Sequence, residues 1–157
     1  VHLEGLGYSH SMIGLLWALG VLAEIVLFLF MVRVLARFSL QQLLLASLLL
    51  AAARWLLIAT LAHHLPMLVV AQLLHAATFG AFHVAAIHFV QRHFSSAWQG
   101  QGQALYASLA GVGGALGALY SGYSWHLLGP VWTFALASLA AALAAVILCC
   151  RPAAPAT

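Results

Sequence analysis

The chain has 157 residues, of which 66% are hydrophobic and only 4% charged, with a formal net charge of +3. Soluble domains carry about 25% charged residues, so a compact water-soluble globule is excluded. The two acids are Glu4 and Glu24, and the bases are Arg33, Arg37, Arg54, Arg92 and Arg151, a scatter that excludes nucleic-acid binding, which needs a clustered basic face.

The chain opens on Val1, with no basic stretch ahead of the first apolar run, so no signal peptide is expected. Without a start Met, it is expected to be a piece of a longer protein. A bilayer-crossing helix needs about 20 apolar residues. Five segments meet that length: 12–32, 40–62, 66–90, 104–123 and 128–150. Their connections, 33–39, 63–65, 91–103 and 124–127, are short, so sequential spans run antiparallel. The expected fold is an all-α membrane protein. Residues 1–151 form one membrane domain and 152–157 a cytoplasmic tail. Arg33 and Arg37 follow span one, Arg92 follows span three and Arg151 follows span five, all on one side. The other side (the N-terminal segment, 63–64 and 121–129) has no Lys or Arg. Cytoplasmic loops carry the excess of bases, so the N-terminus is expected outside and the C-terminus inside. Trp125 and Trp132 at the outer face and Trp98 at the inner face suit interfacial belts.

Span one carries Glu24, roughly 18 Å below its outer end at 1.5 Å per residue. Span two carries Arg54 at roughly 12 Å, and span three His75 at roughly 13 Å. A charge at the centre of a bilayer helix costs about 2.5–3.5 kcal/mol, and such groups usually pair and mark a substrate or proton path. Glu24 and Arg54 are therefore expected to pair. The alternative is a non-transporting scaffold or binding protein in which Glu24–Arg54 is a structural ion pair that locks assembly. His75 has Gln72 and Thr78 three residues to either side, on one helix face. That polar stripe would be wasted against lipid, and an imidazole exchanges protons near neutral pH. An intramembrane enzyme using His75 is a third reading. No nucleophile elbow, phosphate loop, zinc-hydrolase motif or carboxylate pair supports it.

The remaining histidines do not make a metal site. His83 lies about 12 Å along the axis from His75, and no Cys or carboxylate completes a ligand set. Cys149 and Cys150 are neighbours that point apart and read as small apolar residues. No metal and no cofactor are expected. Span four is glycine-rich. Gly113 and Gly117 form a small-xxx-small pair that allows close helix approach, either as static packing or as a sliding surface. Tyr106, with Gln101 and Gln103, adds polar groups to a cavity.

The run Gly7-Tyr8-Ser9, Ile13-Gly14-Leu15-Leu16-Trp17-Ala18-Leu19-Gly20 and Ala23-Glu24 resembles the start of helix eight in major facilitator transporters. The branch it resembles most holds the phenylpropionate permeases and the lactose/oligosaccharide–proton symporters. Arg54-Trp55, the stretch from Gln72 to Gly80, Gln103-Ala104-Leu105-Tyr106, the Gly111–Gly117 run and Ser121-Gly122 fit the same branch. The resemblance implies that the spans are helices eight to twelve of a twelve-helix fold, and that the N-terminal six-helix half and helix seven lie outside this sequence. It further implies that Glu24, Arg54 and His75 correspond to the Glu, Arg and His of the sugar and proton site in lactose-type symporters. Thr78 stands where those symporters carry a coupling carboxylate, which moves coupling to Glu24 or His75. The implied function is proton-coupled symport of a small organic solute, an aromatic acid or a sugar, across the bacterial inner membrane. Arg54 would act as a carboxylate clamp. The implied partners are the lipid bilayer, protons, the solute and the missing half.

Overall fold

The computed structural model describes residues 2–150, so Arg151 and the tail at 152–157 lie outside the described residues. A short α1 (His2–Gly5) precedes α2 (His10–Arg37) and α3 (Leu40–Leu61). Then come α4 (Leu65–His75), a π-helical segment (Ala76–Ala81), α5 (Phe82–His93), a single 3₁₀ turn (Ser96–Trp98) and α6 (Gln99–Cys149). Among the described residues the chain is all-α, with no strand. Four helical stretches are long and apolar enough to cross a membrane.

The helix starts follow from local chemistry. Ser9 caps α2, its Oγ accepting from the Met12 amide at 3.3 Å. Ser39 opens α3 with a capping box: its Oγ accepts from the Gln42 amide at 3.2 Å, and Gln42 Oε1 accepts from the Ser39 amide at 2.9 Å. Two residues therefore suffice to turn the chain between α2 and α3. Pro66 lies in the first turn of α4, where its missing N–H costs nothing.

The last element differs from expectation. A connection was expected at 124–127, but the helix runs through those residues and breaks at Gly129, with φ 81° and ψ 174°. The chain then reverses. The Tyr120 hydroxyl donates to the Thr133 carbonyl at 2.9 Å, and the Ser124 and Thr133 hydroxyls meet at 3.0 Å. In a straight helix residues nine apart are roughly 13.5 Å apart along the axis, so only a fold-back brings them together. The physical reason is that a positive φ is open to Gly at little cost, and Pro130 then starts the second arm with a preset φ. Gly129→Ala is expected to destabilise the folded protein by about 1–3 kcal/mol, since positive φ with extended ψ is open essentially to Gly alone, read as a lower thermal midpoint in detergent.

α3 is the hub, packing against α4, the π segment, α5 and the second arm of α6, while α2 packs on α4 and the π segment. Two apolar clusters form. Leu16, Ala62 and Leu68 close the end of the bundle near the start of α2. Met31, Leu40, Leu43, Ala81 and Ala85 close the opposite end. The polar residues of interest fall between them. Large apolar side chains such as Leu29 (73% exposed) and Val32 (80%) face outward, as suits a bilayer-embedded chain.

The first arm of α6 is packed at its ends and open in between. Gly102 is buried so tightly that a Cβ would stand 2.7 Å from the Phe94 ring and 2.9 Å from Val90. Gly113 and Gly117, expected to admit a close helix neighbour, have nothing within 4 Å of a built Cβ. Among the described residues no helix occupies that stripe.

Candidate functional site

Arg54 organises the polar level. Its Nε donates to the Ala71 carbonyl of α4 at 3.0 Å, and its Nη1 lies 3.5 Å from Thr78 Oγ1. The guanidinium carbon sits 4.8 Å from the ring centroid of Trp55, a cation–π arrangement. Trp55 in turn stacks nearly parallel on Phe134, centroids 5.7 Å apart. A guanidinium has five N–H donors. Two are taken by Ala71 and Thr78, so three remain uncommitted among the described residues.

Those donors belong to a residue that lines a cavity of about 430 Å³ between α2, α3, α4 and the second arm of α6. Arg54, Gln72 and His75 are its polar lining. Trp17, Trp55, Ile58, Leu68 and Phe134 supply apolar and aromatic walls. His2 and Leu3 of α1 line it as well. The His2 ring lies 5.3 Å from Phe134 and 5.8 Å from Trp125, and burial pushes its imidazole below the usual histidine range. His75 Nδ1 is buried and has no hydrogen-bond partner among the described residues, and the ring stacks on Phe79 at 5.3 Å. Buried imidazole nitrogens are normally satisfied, so this one stands ready for a solute or a water.

The expected polar stripe Gln72–His75–Thr78 is divided. Gln72 and His75 line the cavity, whereas Thr78 does not. The cause is the π segment, which begins at Ala76. Its i→i+5 hydrogen bonds put more residues in each turn, so Thr78 leaves the face held by the two residues before it. Its hydroxyl donates to the His75 carbonyl at 3.3 Å and presents its oxygen to Arg54.

The expected Glu24–Arg54 ion pair is absent among the described residues. Arg54 is held instead by α4 and the π segment. Glu24 lies over Gly80: a Cβ built there would stand 3.1 Å from Glu24 Cγ and 3.2 Å from Phe28. Four residues earlier on α2, Gly20 lies over Gln72, whose Oε1 is 3.0 Å from a built Cβ. Each helix thus offers a glycine where the other places a polar side chain. The scaffold reading, with the ion pair as a lock, loses its contact here. Tyr106 is also elsewhere. Its hydroxyl meets His83 Nδ1 at 3.0 Å, tying α6 to α5. Among the described residues no three His, Cys, Asp or Glu side chains gather as a metal set.

Sequence reasoning passed over Trp17, Trp55 and Phe134 as cavity walls, and Ser47, Gly20, Gly80 and His83 as supports. Trp55 adjoins the singled-out Arg54, and Ser47 precedes Arg54 by seven residues, two helical turns on one face. Those were the available signals. Phe134 gave none, because only the reversal at Gly129 carries it to the cavity.

The family model described as the MFS_1 like family matches residues 1–136. A protein described as a probable 3-phenylpropionic acid transporter, from Escherichia coli (strain K12), is 35% identical over 150 residues. The match covers 90% of this chain and 38% of the relative, so the chain spans well under half the length of the curated relative it matches. No solved structure matches the chain.

Proposed function

The chain belongs to the MFS_1 like family of major facilitator transporters, and from that premise we propose that it forms part of a secondary transporter for a small aromatic carboxylic acid. Membership in a transporter family also removes the enzyme reading of His75. The observation that carries the solute class is Arg54, a cation with uncommitted donors at the wall of an aromatic cavity. A carboxylate matches the planar guanidinium fork. A phenyl ring matches Trp17, Trp55 and Phe134. A sugar would ask for many hydroxyl partners, and among the described residues the polar lining is Arg54, Gln72, His75 and His2. The name of the Escherichia coli relative supports the same class.

The transport cycle we propose is proton symport by alternating access about this cavity, in the bacterial inner membrane. The Arg distribution supports an orientation with the N-terminus outside. The further helices of a twelve-helix transporter complete the cavity. Glu24, the one carboxylate within the spans, takes up and releases the coupled proton. His75, within electrostatic reach of both Glu24 and Arg54, lies on the route between proton and solute.

The test is uptake of labelled 3-phenylpropionate by the complete transporter in proteoliposomes under an inward proton gradient, scored above protein-free vesicles. Uptake competed by arylalkanoic acids and untouched by sugars is expected. Competition by sugars alone would sink the reading. Trp55→Ala is expected to weaken 3-phenylpropionate about threefold to tenfold, since aromatic contacts are worth about 0.5–1.5 kcal/mol. It should change an unbranched aliphatic acid of similar length far less. Equal losses for both solutes would show that Trp55 is not part of a ring site.

A further inference from the structure

Glu24 and Arg54 do not touch, yet both lean on the same six residues. Arg54 reaches Thr78 within the π segment and the Ala71 carbonyl just ahead of it. Glu24 rests on Gly80 within the same segment. The segment is held to α3 by a third side chain, Ser47, which is 3% exposed. Ser47 Oγ donates to the Ala77 carbonyl at 2.9 Å. Seven residues separate Ser47 from Arg54, so both leave one face of α3, two turns apart. They grip carbonyls six residues apart, Ala77 and Ala71, on either side of the point where α-helical hydrogen bonding changes to π.

π-helical turns are rare and occur mostly as single insertions, frequently at functional sites. This one has side-chain donors on the carbonyls of Ala71, His75 and Ala77. Two of those three donors come from α3, so α3 sets where the segment sits. Of the two, Ser47 is away from the cavity, whereas Arg54 lines it.

We infer that Ser47 and Gly80 are positioning residues that couple the solute site to the proton site through the π segment. The inference rests on the transport reading above. A solute carboxylate drawing on the uncommitted donors of the Arg54 guanidinium pulls the side chain toward the cavity, and its longer bond, the 3.5 Å contact to Thr78 Oγ1, is the one that yields. The segment then keeps Ser47 as its remaining cross-helix bond to α3 and pivots about it. Gly80 moves with the segment and changes the seat of Glu24. His75, on the neighbouring helix, is within electrostatic reach of both Glu24 and Arg54, and it belongs to the same assembly. Gly80 lets the carboxyl lie directly on the backbone, so displacement of the segment is felt at Glu24 without a cushioning side chain. With Ser47 reduced to Ala, the segment is free on α3, and occupation of Arg54 no longer moves Gly80 in a defined way.

Two rates in proteoliposomes bearing the complete transporter test this, with labelled 3-phenylpropionate as probe. One is solute exchange at equal pH, which needs no net proton movement. The other is net uptake driven by a proton gradient. Ser47→Ala is expected to lower gradient-driven uptake about fivefold to tenfold, the scale set by one lost hydrogen bond, and Gly80→Ala, whose Cβ would crowd Glu24, is expected to lower it as well, while exchange is nearly unchanged in both. Ser47→Thr, which keeps the hydroxyl, is expected to restore driven uptake. A merely structural Ser47 would move both rates together. Ser47→Ala with both rates at the parent level, or with both reduced in proportion, overturns the inference and leaves the transport reading standing. A parent protein that neither exchanges nor takes up the acid overturns the transport reading and this inference with it.

Discussion

Arg54→Ala is expected to weaken binding of 3-phenylpropionate by at least about thirtyfold. Removing one partner of a hydrogen-bonded charge pair costs about 2–5 kcal/mol, and each 1.4 kcal/mol is about tenfold. Arg54→Lys decides whether the geometry or only the charge matters. An ammonium keeps the charge, but one nitrogen replaces three. It cannot hold the Ala71 carbonyl and Thr78 while also offering a further set of donors to a carboxylate. Lys is therefore expected to recover less than half of the lost binding free energy. The measurement is a titration of purified transporter in detergent with labelled acid. Wild-type affinity in Arg54→Lys would show that a point charge suffices and that the fork has no role.

Glu24→Gln is expected to bring gradient-driven uptake down to the level of protein-free vesicles. The amide has nearly the same shape and keeps the seat over Gly80 and beside Phe28, but it no longer exchanges a proton. A gradient of one pH unit is worth about 1.4 kcal/mol per proton, and a transporter with no titrating group cannot draw on it. The initial rate of uptake should therefore lose its dependence on the gradient. A Gln variant that still responds to the gradient as the parent does would move coupling away from Glu24, leaving His75 as the titrating group on the facing helix. The two substitutions act at different points. Arg54 variants change affinity for the acid at equal pH, and Glu24→Gln changes the response to the gradient.

The absent ion pair sharpens both expectations. A direct Glu24–Arg54 contact would tie every change at one residue to the other electrostatically. In the coupling inferred above, their communication runs instead through the backbone of residues 76–81, which Ser47 bonds from α3 and on which Glu24 rests. Pair-swapping the two charges should therefore fail to restore function.

Much of this was legible in the chain itself. Hydropathy alone dictates the membrane class, because a sequence with 4% charge and long apolar runs has no other way to satisfy its backbone than helices in lipid. Lone charges and a lone polar stripe in apolar helices stand out for the same reason, so Glu24, Arg54, Gln72 and His75 were visible as residues of interest. The caps at Ser9 and Ser39 are local hydrogen bonds within four residues, and Pro66 needs no amide partner in the first turn of α4. What the sequence could not hold was which polar groups meet. Helical periodicity assumes 3.6 residues per turn, and the π segment breaks that register between His75 and Thr78. Thr78 then meets Arg54 rather than the cavity, and the stripe is divided. The placement of Phe134 beside Trp55 depends on a reversal at Gly129 and on contact with a helix about 80 residues earlier in the chain. Spacing rules reach three or four residues along one helix. The cavity is made by four helices and α1, and only their packing brings its walls together.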